Sequence, residues 1–77
     1  MDFRITTSNI YFAAALLSKG AKYAGVDRSD ERFMRFTLMS AVDMGQWEID
    51  WINGDLTVNA RKYKDAIQQI KGVLYSR

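Results

Sequence analysis

The clearest pattern of apolar and polar positions lies between Gly54 and Arg77. Apolar residues recur there at helical spacing and form one stripe: Tyr63, Ala66, Ile67, Ile70, Val73 and Leu74. Polar side chains occupy the other side, and Asn59 is a residue type that caps the first turn of a helix. The pattern predicts an amphipathic helix that begins after Asn59 and packs its stripe on the rest of the domain.

The beginning of the sequence predicts a strand followed by a buried helix. Residues 3–6 alternate apolar and polar, as in a short half-buried strand. The next residues, Thr7 or Ser8, are expected to cap a helix that runs through Lys19 and ends at Gly20. Residues 10–17 are apolar almost all round, so this helix is expected to be buried on more than one side or to face a partner.

A β-hairpin is predicted in the middle of the chain. Residues 21–27 and 32–39 have the composition of strands, and the polar residues 28–31 form the turn between them. Gly25 inside the first strand indicates a bulge or a close backbone contact. Alternate residues of the second strand share a face, and we assign one set to the core: Met34, Phe36 and Leu38.

A second helix is predicted after the hairpin. Ser40 is expected to cap it, with Asp43 completing a weak capping box, and Asn53-Gly54 to end it. Its aromatic stripe contains Met44, Trp47 and Trp51. Residues 56–58 alternate again and predict a short edge strand before the last helix.

These elements predict one compact α+β domain over residues 1–77. The expected order is β-α-β-β-α-(β)-α, with a three-stranded sheet to which residues 56–58 add a fourth strand. The sheet is expected to be antiparallel or mixed, with the helices mainly on one face.

Composition narrows the chemistry of the domain. The 77 residues include no cysteine and no histidine, which excludes a disulfide, an ordinary zinc site, a thiol nucleophile and the commonest general base. Two groups of carboxylates remain as candidates for a magnesium site: Asp27, Asp30 and Glu31 in the turn, and Glu48 with Asp50. Arg28 and Arg32 neutralise the turn group, and residues two apart on a helix point about 200° apart. We therefore expect a protein that is not an enzyme and needs no metal or cofactor.

Charge and hydropathy bear on partners and location. The formal net charge is only +2, but residues 41–60 carry −4 and residues 61–77 carry +4. The longest apolar run, Ile10–Leu17, is far shorter than the about 20 residues that span a bilayer. The first residues lack the order of a signal peptide. We expect a soluble, cytoplasmic protein without a membrane partner.

One hypothesis for function is binding to another protein or to a second copy of the chain. Tryptophan is a favoured interface anchor, and the second helix carries two tryptophans beside acidic residues. The predicted site consists of Trp47, Trp51, Glu48 and Asp50. In the alternative interpretation, both tryptophans belong to the core.

The other hypothesis is binding to nucleic acid. Its predicted phosphate contacts are Arg35, Arg61, Lys62, Lys64 and Lys71. Phe33 on the outward face of its strand, with Tyr23 beside it, would stack on a base. In the alternative interpretation, Phe33 belongs to a second, smaller hydrophobic layer under a helix.

Several stretches of the chain also resemble a known family. They are residues 7–11, 13–20, 25–26 and 51–60 with Tyr63, and the last part reads Trp-x-Asn-Gly-x-Leu-x-Val-x-Ala-x-x-Tyr. In these residues the chain resembles a family of short domains of unknown function met in phages, other mobile elements and bacteria. The resemblance implies a phage or mobile-element origin, and it implies no activity and no functional residue.

Overall fold

The structure is a computed structural model and describes residues 2–30 and 32–75. Its elements are β1 (Phe3–Thr7), α1 (Ile10–Ser18), β2 (Lys22–Asp27), β3 (Arg35–Ser40), α2 (Gly45–Asn53) and α3 (Ala60–Tyr75). The predicted α+β class and the predicted order of elements are confirmed, apart from the extra strand at residues 56–58.

Residues 55–59 form a loop between α2 and α3 rather than a strand. The backbone amides of Asp55 and Leu56 both donate to the carbonyl oxygen of Asp50, at 2.7 and 3.2 Å. The carbonyl oxygen of Thr57 accepts a hydrogen bond from Nζ of Lys19 at 3.0 Å. The backbone groups of residues 55–57 therefore form hydrogen bonds with the end of α2 and with Lys19. Residues 56–58 alternate apolar and polar, but they pair with no strand of the sheet.

The three strands form one antiparallel sheet in the order β1-β3-β2. The predicted bulge in β2 is present, because Tyr23 pairs with Leu38 and Gly25 pairs with Thr37, leaving one extra residue between them. Gly25 has a φ of +149°, a backbone conformation that residues with a Cβ rarely adopt. The bulge turns Tyr23 to the same face of the sheet as Val26, which pairs with Phe36.

The core lies between the sheet and α1. Phe36 and Leu38 are fully buried, and Met34 is partly buried against them, which confirms the predicted core face of β3. Residues 12–16 of α1 are also buried, because α1 lies between the sheet and α3. This double packing is why its apolar residues surround the whole helix, as the sequence predicted.

The first helix begins at a different cap from the one predicted. The Asn9 side-chain oxygen, not Thr7 or Ser8, accepts hydrogen bonds from the amides of Tyr11 and Phe12 at 2.9 and 3.2 Å. Thr7 remains in β1, and its hydroxyl accepts from the amide of Asn9 at 3.1 Å. Of the three adjacent polar residues Thr7, Ser8 and Asn9, the first therefore pairs with β3 and the last caps α1.

The second helix begins later than the capping-box prediction placed it. Ser40 pairs with Phe3 as the last residue of β3, and its hydroxyl accepts from the amide of Val42 at 3.0 Å. The carboxylate of Asp43 accepts from the amide of Gly45 at 2.8 Å, and α2 starts there without a side-chain cap. Gly54 ends the helix as predicted, in the left-handed conformation.

The last helix follows the sequence prediction closely. Ala66 and Ile70 are buried, and the other members of its stripe are partly buried against the core. Burial, with the nearby phenol of Tyr11 as a smaller cause, raises the pKa of Tyr63 above its ordinary value of 10.0. The Asn59 side-chain oxygen accepts from the amide of Lys62 at 3.0 Å and caps the helix.

Loss of this cap is expected to weaken the domain measurably. Asn59→Ala removes the acceptor for the Lys62 amide and should lower the free energy of unfolding by about 1 kcal/mol. Asn59→Asp keeps an accepting oxygen and serves as the matched control. Urea denaturation followed by circular dichroism measures both variants. An alanine variant with the wild-type midpoint would contradict the role of Asn59.

Candidate functional site

The two tryptophans of the predicted protein-binding site face the core. Both are half-buried and pack against the buried cluster. The ring of Trp51 lies 5.4 Å from the ring of Phe12, centroid to centroid, at an interplanar angle of 37°. Nζ of Lys19 lies 5.8 Å from the centroid of the Trp47 ring. These contacts attach α2 to α1.

The side of α2 that faces solvent carries two isoleucines. Ile49 is 52% exposed and Ile52 is 75% exposed. They are three residues apart, so they are neighbours on the helix surface, and helical geometry places them opposite Trp47 and Trp51. We call Ile49 and Ile52 the outer stripe. The outer stripe is not among the sequence predictions, because the spacing of the two tryptophans indicates one apolar side of the helix and the isoleucines lie on the other.

The two predicted carboxylates beside the tryptophans have different surroundings. Asp50 accepts a hydrogen bond from the side-chain amide of Gln46 at 2.9 Å. Glu48 is exposed in the first turn of α2, where a negative charge is favourable to the helix dipole. Helical geometry puts Glu48 next to Ile52 around the axis, so an acidic group borders the outer stripe.

The predicted basic residues do not form one surface. The four on α3 are all exposed: Arg61, Lys62, Lys64 and Lys71. Arg61, Lys64 and Lys71 lie within about 80° of one another around the helix, and Lys62 points away from Lys64. Arg35 lies on the face of the sheet away from the helices, because it alternates with the buried Phe36. Arg35 and the α3 cations therefore lie on different sides of the molecule.

The two predicted stacking aromatics are also separated. The bulge in β2 turns Tyr23 to the helix-covered face, away from Arg35. There it lines a groove of about 490 Å³ with Leu17, Val26 and Val73, between the edge of the sheet and α3. Phe33 precedes β3 and is 55% exposed, so the second hydrophobic layer that the sequence suggested for it is wrong.

The groove beside β2 is bordered by an anchored arginine. Nη2 of Arg28 donates to the carbonyl oxygen of Val73 at 2.6 Å, which ties the end of β2 to the last turns of α3. In the turn, Arg32 lies 3.8 Å from Asp30 in an exposed ion pair.

Within residues 2–30 and 32–75, no group of three or more acidic, histidine or cysteine side chains is placed to hold a metal ion. No helix in this described part of the chain is long and apolar enough to cross a bilayer.

The chain matches a protein-family model over almost its whole length. A family model described as a domain of unknown function, DUF5659, matches residues 2–76. Neither the curated proteins nor the solved structures give a match. The match covers almost the whole chain, which agrees with the resemblance to a family of short domains of unknown function, and it brings no assigned activity or partner.

Proposed function

We propose that this chain, which belongs to the DUF5659 family of domains of unknown function, is a non-enzymatic accessory protein that binds another protein through α2. The observation that carries the proposal is the outer stripe. Ile49 and Ile52 are exposed side by side on a helix whose other side already packs on the core. A helix that needs only to cover a core has a polar outer side, so the outer stripe is best explained by a partner.

The charge around the outer stripe indicates the kind of partner. Residues 41–60 carry four acidic side chains and no basic one. Glu48 borders the stripe directly, and Asp43 and Asp55 lie exposed just before and just after α2. A protein surface with apolar anchors and lysine or arginine around them is complementary to this arrangement. A basic amphipathic helix has these properties.

A second copy of the chain fits the stripe less well. Two α2 helices packed on each other would bring the acidic residues of both copies together, and like charges at an interface oppose association. The basic α3 of another copy lacks an apolar complement, because the outward side of α3 carries mostly polar side chains. We therefore propose a different, basic protein as the partner.

The proposal is tested with two synthetic helical peptides that share a leucine face. One has lysines on its polar face and the other has glutamates. Labelled peptide is titrated with the protein and followed by fluorescence anisotropy. We expect binding of the lysine peptide only, and we expect Ile49→Gln/Ile52→Gln to weaken it by about tenfold or more, since truncated anchors typically cost above 1 kcal/mol each. Glutamine suits a helix, so α2 should remain folded.

The matched control removes exposed apolar groups elsewhere. Phe33 and Tyr75 are 55% and 76% exposed and lie outside α2. Phe33→Gln/Tyr75→Gln should bind the lysine peptide as the wild type does. Equal loss in both double variants, or equal binding of the two peptides, would overturn the proposal. Dimerisation that light scattering shows to depend on Ile49 and Ile52 would also overturn it, in favour of a second copy.

The proposal includes a setting for this function. We place the protein in the cytoplasm, and in the host cytoplasm if its gene belongs to a phage or mobile element. The support is the sequence resemblance to a family of short domains met in phages, other mobile elements and bacteria. Sequencing the flanking DNA tests the origin: phage or transposition genes would support it, and an operon of housekeeping genes would contradict it.

A further inference from the structure

The face of the sheet that the helices leave uncovered is basic. Register determines which residues share this face, because residues directly opposite each other in a sheet point to the same side. Met39 of β3 pairs with Arg4 on one side and with Lys22 on the other, so these two cations flank it in one row. Arg35 lies on the same face, four residues before Met39. Arg4, Lys22 and Arg35 are all exposed.

A hydrogen bond confirms the orientation of these residues. The hydroxyls of Thr6 and Thr37 lie 3.2 Å apart, between the row of Met39 and the row of Arg35. The buried residues of β3, Phe36 and Leu38, alternate with Thr37 and point to the helices. The uncovered face therefore presents cations at both ends and hydroxyls between them.

Among the described residues that pair within the sheet, one acidic residue lies on this face. Asp27 pairs with Arg35. Hydrogen bonds from Ser29 are the main cause that lowers its pKa, and the charge of Arg35 contributes. Asp27 is thus ionised at neutral pH and opposes Arg35. Asp2, just before β1, lines a cavity with Lys22 and Met39. Two carboxylates therefore lie against three cations, and the face keeps a net positive charge.

We propose that the uncovered sheet face, defined by Arg4, Lys22 and Arg35, binds the phosphates of a single-stranded nucleic acid. Strand spacing of about 4.8 Å puts Arg4 and Lys22 about 10 Å apart, and Arg35 lies about 13 Å along the sheet from their row. Three cations at these separations suit a strand laid across the sheet. This surface is distinct from α2, so the proposal is independent of the protein-binding function.

The shape of the face favours a single strand over a duplex. Reading a duplex requires an element that enters a groove, such as a helix or a β-ribbon. A flat sheet instead supports an unpaired strand whose bases can stack on aromatic side chains. Phe33 is 55% exposed two residues before Arg35, at the end of the sheet where such a strand would leave the cations.

The probe is a labelled oligothymidylate, titrated with the protein at several salt concentrations. Three phosphate contacts predict a slope of log K against log salt of about −2 for a single strand. Arg4→Gln/Lys22→Gln should reduce the slope by about 1.4 and weaken binding about 25-fold near 0.1 M salt. Phe33→Ser should weaken binding about fivefold or more, through lost stacking.

Matched variants distinguish the sheet face from the rest of the molecule. Lys64→Gln/Lys71→Gln removes the same charge from the outer side of α3 and should bind within about twofold of the wild type. Asp27→Asn keeps an oxygen that can accept from the Ser29 amide and should bind more tightly, because it removes the opposing charge. Thermal unfolding of each variant checks that the fold is retained.

Four results would overturn the proposal. They are an absence of binding at low salt, equal losses in the two lysine-containing double variants, a loss confined to the α3 variant, and equal binding of polyglutamate or duplex DNA. The second would indicate attraction by net charge alone, and the third would place the site on α3.

Discussion

Phe36→Ala is expected to lower the free energy of unfolding by about 3–5 kcal/mol, the usual cost of truncating a buried phenylalanine. Phe36 is fully buried on the central strand and pairs with Thr7 on one side and Val26 on the other. A single core in a chain of this size seldom supplies more than about 3–5 kcal/mol in total. The variant should therefore be largely unfolded at room temperature.

Circular dichroism and urea denaturation measure this effect, and the chain offers a matched control. Phe33 is the same residue type three positions earlier and is 55% exposed. Phe33→Ala should change the free energy of unfolding by no more than about 0.5 kcal/mol. A folded Phe36→Ala variant with the wild-type midpoint would show that β3 does not supply the centre of the core.

Most of the fold is predictable from the sequence, because each of its longest apolar patterns is compatible with a single arrangement of the element that carries it. The α3 stripe runs for more than three turns, and the alternation around Phe36 and Leu38 indicates which face of β3 is buried. α1 is recognisable because it is apolar all round, which requires packing on two sides. In each case burial of apolar surface and local periodicity favour the same structure.

The wrong predictions concern residues for which pairing with a strand distant in sequence competes with what the local sequence pattern favours. Ser40 has the composition of a helix cap, but it pairs with Phe3 and extends β3. Thr7 likewise pairs with Phe36, which leaves Asn9 to cap α1. The bulge was predicted from Gly25, but its consequence for Tyr23 depends on the register with β3, which a local pattern does not contain.

The candidate sites were harder to predict than the fold. The second helix has apolar residues on two sides, and the sequence does not say which side packs on the core. The structure assigns Trp47 and Trp51 to the core side and Ile49 with Ile52 to solvent. The basic sheet face was missed for a similar reason. Arg4, Lys22 and Arg35 are far apart in sequence and come together only through the strand order β1-β3-β2.

The attachment of α2 gives the second large effect. α2 has nine residues, no buried residue within its bounds and no side-chain cap. Isolated helices shorter than about 12–15 residues are marginal in water, so α2 depends on contacts with the rest of the domain. The packing of Trp51 on Phe12 is the closest described aromatic contact, with ring centroids 5.4 Å apart.

Trp51→Ala is therefore expected to release α2 at a cost of about 2–3 kcal/mol, from lost burial of a half-buried ring and lost aromatic packing. Amide hydrogen exchange in α2 should accelerate by about 30-fold or more, while the amides of β3 change less. The affinity for the lysine peptide should fall together with the folded fraction of α2, because the outer stripe exists only on a formed helix.

Ile52→Ala is the control for this prediction, because Ile52 lies on the same helix and is 75% exposed. Alanine favours helix, so the exchange rates of α2 should stay at wild-type values or fall. Wild-type exchange of α2 amides in Trp51→Ala would contradict the role of Trp51. If the affinity of Trp51→Ala for the lysine peptide were also unchanged, contacts other than that of Trp51 would hold α2 in place and keep the outer stripe accessible to the peptide.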